Sequence, residues 1–218
     1  MTRRVRLLTA RRQRRLVWGL QAVMVAILLL GVALLDGAIV VNASVGILVS
    51  LLPALFERNY RVTMDVRLVL WITVAMFVHV LGTVVVPGTR LSVYSAVWWW
   101  DDLTHTLSAT LVAAVGYASA RAYAESAPEV VLPPAYSFAY LFLFVLAAGV
   151  AWELIEYYTS VVAAFFGVPG VLIQYGLTDT MVDLLYNLLG ALVVALWGTV
   201  YLTDVVEDLS ERFTGRSG

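Results

Sequence analysis

Residues 16–35 read LVWGLQAVMVAILLLGVALL, a stretch with no charged side chain. A hydrocarbon core about 30 Å thick needs roughly 20 apolar residues at helical rise, so this run has the length and composition of a transmembrane helix. Five further runs follow, near 39–56, 66–86, 103–123, 136–158 and 181–203. The expected fold is all-α: a polytopic transmembrane helix bundle of six spans. Composition agrees, since 61% of the 218 residues are hydrophobic and only 13% charged, with a mean hydropathy of +0.88. That balance excludes an ordinary soluble domain. Membrane lipids are the expected partners and nucleic acid is not. The chain has no cysteine, so disulfides, thiolate ligands and thiol chemistry are excluded.

Arginine placement orients the bundle. Arg3, Arg4, Arg6, Arg11, Arg12, Arg14 and Arg15 precede the first span, which puts the N-terminus in the cytoplasm by the positive-inside rule. Six crossings return the C-terminus to the same side, and all the remaining arginines except Arg90 then fall on cytoplasmic segments. The organisation expected is an Arg-rich cytoplasmic N-terminus over 1–15, a membrane domain over 16–203 and a cytoplasmic tail over 204–218. The start of the chain loosely echoes a twin-arginine signal. Its apolar run is longer than a usual signal core, however, and lacks a small-x-small cleavage site, so it reads as an uncleaved first helix. The segment 159–177 is apolar but interrupted by Gly167-Val168-Pro169-Gly170, which predicts an external re-entrant or interfacial loop capping the bundle. Trp98, Trp99 and Trp100 read as an interfacial aromatic belt.

Against this apolar background three short polar stretches stand out: Asp101-Asp102-Leu103-Thr104-His105, Glu153-Leu154-Ile155-Glu156, and Asp179 to Asp183 running on to Asn187. Ionisable groups at membrane depth are expensive and mark functional sites by default. With the topology above, all three lie at external span ends. His79, seven residues before the end of the third span, lies about 10 Å below that surface at ~1.5 Å per residue. Helical spacing puts Asp101 and Asp102 on a face with His105, Glu153 with Glu156, and Asp179 with Asp183 and Asn187. The aspartates at span starts also suit helix caps. Glu153 and Glu156, placed near the end of the fifth span, lack that reason: the helix dipole there disfavours negative charge, so they call for a proton, a basic partner or a cation.

The residue types on offer are carboxylates and imidazole. The expected ligand set is His105, Glu153, Glu156 and Asp183 around a divalent metal ion, with Asp101 or Asp102 as general base and His79, Asp179 and Asn187 in support. Magnesium, manganese, calcium and iron suit oxygen-rich ligation, and zinc fits if His79 joins His105. Neither an H-E-x-x-H pattern nor the paired Glu-x-x-His of di-iron bundles is present. A metal-free proton or cation pathway and a purely structural polar network stand as alternatives.

At these residues the chain resembles the VanZ-like and YjdF-type families of small polytopic membrane proteins. The VanZ-like pattern, an Asp with a His four on, a Glu with a polar residue three on, then Asp-x-x-x-Asn-x-x-Gly, matches Asp101 with His105, Glu153 with Glu156, and Asp183 with Asn187 and Gly190. Asp102 and Glu156 depart from it, where Lys and Gln are usual; the Glu-x-x-Glu pair and the run from Asp179 to Asp183 look more like the YjdF type. The resemblance covers the half from Trp98 onward and implies a shared site more than a named reaction, the VanZ-like proteins being linked to glycopeptide resistance.

Three functions follow as expectations. One is a metal-dependent hydrolase or transferase acting on a lipid or lipid-linked headgroup. Another is a proton- or cation-coupled transporter. The third is a non-catalytic module that binds lipid or a partner membrane protein.

Overall fold

The computed structural model describes residues 9–60, 64–127, 129, 133–172, 174–201, 206–207 and 210. Among them the chain forms seven helices and no strand: α1 Ala10–Leu34, α2 Gly37–Tyr60, α3 Val66–Gly82, α4 Val93–Ala96, α5 Trp100–Ser126, α6 Pro134–Phe166 and α7 Leu177–Tyr201. Six of these overlap the six apolar runs. Four, α1, α2, α6 and α7, are long and apolar enough to cross a membrane by length and composition; α3 is apolar but has 17 residues, and α5 is long but richer in polar side chains. The predicted N-terminal segment to residue 8 and most of the predicted tail lie outside the described residues.

Local chemistry sets the helix ends. Thr9 caps α1, accepting from the Arg12 amide through its hydroxyl, and Asp36 accepts from the Ile39 amide at the start of α2. Only Leu35, in the left-handed region at φ 54°, and Asp36 separate those two helices. Asp65 caps α3 through the Arg67 amide. The third apolar run stops as a helix at Gly82, before the predicted residue 86, because the chain turns through Pro87-Gly88 into a single bridge between Val85 and Ser92.

The largest departure from the expected boundaries is α6. It continues to Phe166, eight residues past the expected end at 158, and stops where Gly167 takes φ 65° and its amide reaches back to Ala163 and Ala164. Thirty-three residues at ~1.5 Å each give a helix about 50 Å long, well over the ~30 Å hydrocarbon thickness. Glu153 and Glu156 therefore stand within the helix and not in its last turn, which removes the dipole argument raised against them. A side chain at 167 meets no neighbour but must adopt a left-handed backbone, so Gly167→Ala is expected to lower stability by about 1 kcal/mol. The check is the melting temperature of the detergent-solubilised protein; an unchanged or higher value would mean α6 does not end there.

The outer surface is apolar, with Trp18, Leu29, Leu48, Leu143, Phe165 and Leu185 among the exposed side chains. The interior of α5 is made mostly of small residues. Ala109, Ala113 and Ala114 of α5 pack with Ala191 and Val194 of α7 and with Leu141 and Val145 of α6, and a second core joins Met24 and Ile27 of α1 to Ile39 and Ala43 of α2 and Val80 of α3. Lipid tails are as apolar as leucine, so helix association in a bilayer relies on close approach of this kind. The result is two three-helix groups, α1–α2–α3 and α5–α6–α7, joined where α3 meets α5. α5 and α7 form the closest pair, because Gly190 lets the backbones meet: a Cβ there would lie 2.7 Å from the Thr106 carbonyl oxygen and 3.0 Å from the Thr110 nitrogen.

Candidate functional site

The same crossing positions the chemistry. His105 lies one turn after Asp101 on α5, and its Nε2 is 3.6 Å from Asp101 Oδ1 and 3.8 Å from Asp183 Oδ1 on α7. Asn187, one turn beyond Asp183, lies within hydrogen-bonding reach of the His105 side chain. The Asp-x-x-x-Asn-x-x-Gly run thus has a task at each named position: Asp183 faces His105, Asn187 orients the ring, and Gly190 brings the helices together. His105, Asp183 and Asn187 are all buried. Ligand atoms of Asp101, His105 and Asp183 lie within 4.8 Å of one another, close enough to hold one ion.

Glu153 on α6 is buried against this group, within electrostatic reach of His105 and Asp183. Its Oε2 accepts from the Thr180 hydroxyl at 2.8 Å, and Gln174 in turn donates to that hydroxyl at 3.0 Å. Its Oε1 is buried with no hydrogen-bond partner. A buried acceptor without a partner is unfavourable by about 1–3 kcal/mol, more when charged. Glu156, one turn on, accepts from the Trp152 indole at 2.9 Å. Among the described residues no arginine pairs with any of these carboxylates; the one arginine ion pair is Arg121 with Glu125.

The other expected site residues take different places. Asp179, in the first turn of α7, accepts from the Tyr175 amide at 3.3 Å and so ties the preceding loop to the helix. Asp102 is half-buried beside the cluster, within electrostatic reach of His105 and Asp179. His79 reaches the site from α3 through hydrogen bonds: Nε2 is 2.9 Å from Asn42 Oδ1, and Nδ1 is 2.8 Å from the Tyr94 hydroxyl. Asn42 donates to the Ala38 and Val171 carbonyls, which leaves its oxygen to accept from His79 Nε2. In the neutral ring Nδ1 then accepts from Tyr94. The Tyr94 hydroxyl also lies 3.4 Å from Thr104, which donates to the Asp101 carbonyl. A polar chain therefore runs from the loop at Val171 through α2, α3 and the short α4 to the start of α5.

Several of these groups, though neither Glu153 nor Asp183, line a cavity of about 410 Å³ between the two three-helix groups. Asp101, His105, Glu156, His79, Tyr94 and Tyr175 line one end; Val49, Met76, Leu111, Val112 and Val145 line the other. Val171 and Leu172, from the segment expected to cap the site, lie over the polar end, with Val171 bonded to Asn42 and Leu172 accepting from Ser160. Of that expected cap, residues 159–166 belong to α6, Leu177 opens α7, and the described residues between them form the loop.

Sequence reasoning missed Asn42, Tyr94, Trp152, Gln174 and Thr180. Asn42 did carry a signal, as an amide in an otherwise apolar run. Tyr94, outside every run, carried none.

The model of a family described as predicted membrane protein (DUF2238) matches residues 16–204. The chain belongs to this family. An uncharacterized protein of Thermotoga maritima is 28% identical to this DUF2238 member over 143 residues, which cover 66% of this chain and 67% of that one. No solved structure matches it. The family, the four apolar spanning helices and the apolar outer surface together make this DUF2238 member a multi-pass membrane protein.

Proposed function

We propose that this DUF2238 protein crosses the membrane six times with both termini in the cytoplasm, and that it holds one divalent metal ion on Asp101, His105, Glu153 and Asp183, toward the external side, where the starts of α5 and α7 meet the interior of α6. Its activity on this reading is hydrolysis or transfer at a lipid or lipid-linked headgroup. The observation that carries the metal is the Asp101–His105–Asp183 group, whose ligand atoms lie within 4.8 Å of one another; the unpartnered Glu153 oxygen, on a side chain within electrostatic reach of His105 and Asp183, supports adding it. A cation completes that oxygen and offsets the repulsion among carboxylates for which no arginine is at hand. The arginine asymmetry supports the orientation, and the ordered Asp-His, Glu-x-x-Glu and Asp-x-x-x-Asn-x-x-Gly motifs support kinship with the VanZ-like and YjdF-type proteins.

When bound, the ion supplies Lewis-acid polarisation and a nucleophilic water. Three carboxylates with one imidazole suit manganese, iron or magnesium better than zinc, since His79 is committed to Asn42 and Tyr94. Asn187 fixes the His105 ring. Because Asp101 stands among the ligands and Asp102 does not line the cavity, Glu156 takes the part of proton acceptor; it lines the cavity and the Trp152 indole holds its carboxylate in place. Asp102 and Asp179 stand in the first turns of α5 and α7, where the helix dipole favours negative charge.

Elemental analysis of the detergent-purified protein, after incubation with manganese, iron(II), magnesium, calcium or zinc and removal of free ion, is expected to give about one ion per chain, with retention reduced at least tenfold in Asp183→Asn. A folded, monodisperse parent that retains no ion would overturn the metal site.

The polar chain from Asn42 through His79 and Tyr94 to Thr104 favours a second reading, a proton-coupled transporter. Against it, the deep end of the cavity is lined by valines, leucine and methionine and offers no continuing polar path. Proton-gradient-driven flux in proteoliposomes, lost in His79→Ala with metal still bound, would favour it.

A further inference from the structure

The cavity has a polar end, an apolar end and a definite length. Its lining runs eleven residues along each of three helices: Ala38 to Val49 on α2, Asp101 to Val112 on α5 and Val145 to Glu156 on α6. At ~1.5 Å per residue each path is about 16 Å, roughly half of a ~30 Å hydrocarbon core. The slot therefore has the depth of one leaflet.

Its sides differ. α3 packs against α5 and closes one flank, whereas α2 and α6 both line the cavity but make no extended packing contact with each other among the described residues. Val45 marks that flank, because it lines the cavity and is 44% exposed. Above it the loop at Val171 and Leu172 crosses from α6 toward α2 and is pinned to Asn42. The top is covered and the α2–α6 flank faces lipid.

We infer that this slot takes one hydrocarbon chain of a phospholipid from the external leaflet, which enters sideways between α2 and α6 and leaves its headgroup against Asp101, His105 and Glu156. The inference deepens the lipid-headgroup reading above and rests on it for the phosphate, since bare carboxylates repel an anion and the ion is needed to receive one. Burial of the tail does not depend on the ion: apolar walls from Val49, Met76, Leu111, Val112 and Val145 surround it whether or not the site is loaded. A water-soluble substrate has no use for an apolar extension beneath the polar groups, where Val49, Met76, Leu111, Val112 and Val145 line the far end.

The test is photocrosslinking in liposomes with phosphatidylglycerol carrying a diazirine midway along one acyl chain, read by peptide mass spectrometry. Expected adducts fall on Met76, Leu111 and Val112 as well as on lipid-facing Leu29 and Leu143, which serve as internal controls. Ala148→Trp narrows the flank and should reduce cavity adducts at least tenfold with control adducts unchanged. If that variant does not remain monodisperse, Val45→Trp at the exposed side of the same opening replaces it. Labelling of the parent confined to outer-surface residues overturns the inference, as does cavity labelling indifferent to both substitutions. Asp183→Asn separates the two proposals. A chain that loses its ion and still labels at Met76 keeps the slot, while a parent that binds its ion but shows no cavity label keeps the metal site alone.

Discussion

Gly190→Leu is expected to leave little folded protein. At this position the α5 backbone lies against α7, and a Cβ would sit 2.7 Å from Thr106 O, 2.8 Å from Ala109 Cβ and 3.0 Å from Thr110 N. Two of those three atoms are main chain, which cannot turn aside as a flexible side chain can. Overpacking a tight contact typically destabilises by about 1–3 kcal/mol, and a branched side chain facing a helix backbone belongs at or beyond the top of that range. Gly190→Ala is the graded version and should retain a monodisperse fold with a lowered melting temperature. Its effect on the site should exceed its effect on stability, because any separation of α5 and α7 lengthens the 3.8 Å approach of Asp183 to His105. The readout is therefore paired: size-exclusion profile and melting temperature for the bundle, retained metal for the site. If Gly190→Leu proved as stable as the parent, the close α5–α7 crossing would be wrong, and with it the meeting of Asp101, His105 and Asp183.

How far the sequence led is clearest at particular residues. Hydropathy located all six long helices, because a bilayer demands apolar runs of a set length. Helical i, i+4 spacing also puts Asp101 with His105 and Asp183 with Asn187 on one face each, at the starts of two helices that pack together. What it lacked was the third dimension of each contact. Asp101 was expected to stand outside the ligand set, yet nothing in a linear spacing tells which of two adjacent aspartates turns toward His105. Glu153 and Glu156 are expected near a helix end because the fifth apolar run reads as 136–158, ahead of the Gly167-Val168-Pro169-Gly170 break; the structure carries α6 to Phe166, where the left-handed Gly167 stops it. His79 lines the cavity with Asp101 and His105, and its partners Asn42 and Tyr94 come from a different helix and from a one-turn element that hydropathy does not register. The cavity itself arises from two helix groups that touch on one flank only, a property of packing that no single span encodes.

Glu153→Gln should reverse the order of stability between the metal-free and metal-loaded protein. Without an ion the parent holds a buried Oε1 with no partner next to Asp183 and Glu156, so like charges repel and one acceptor is unsatisfied. Glutamine keeps the shape and can still accept from Thr180, while removing one negative charge. In chelator the variant is thus expected to melt at or above the parent. With manganese in excess the parent gains stability by mass action, about 2.7 kcal/mol at a hundredfold excess over Kd, and the variant gains much less because it has lost a charged ligand. The melting curves should cross between the two conditions. A structural role for Glu153, resting on the Thr180 and Gln174 hydrogen bonds alone, predicts something different: an equal loss with and without ion, since neither bond involves the metal. Thr180→Val supplies the matching control, because it removes that donor and leaves the carboxylate. If Glu153→Gln lowered both curves equally and Thr180→Val did the same, Glu153 would be a packing residue, and the ligand set would contract to Asp101, His105 and Asp183.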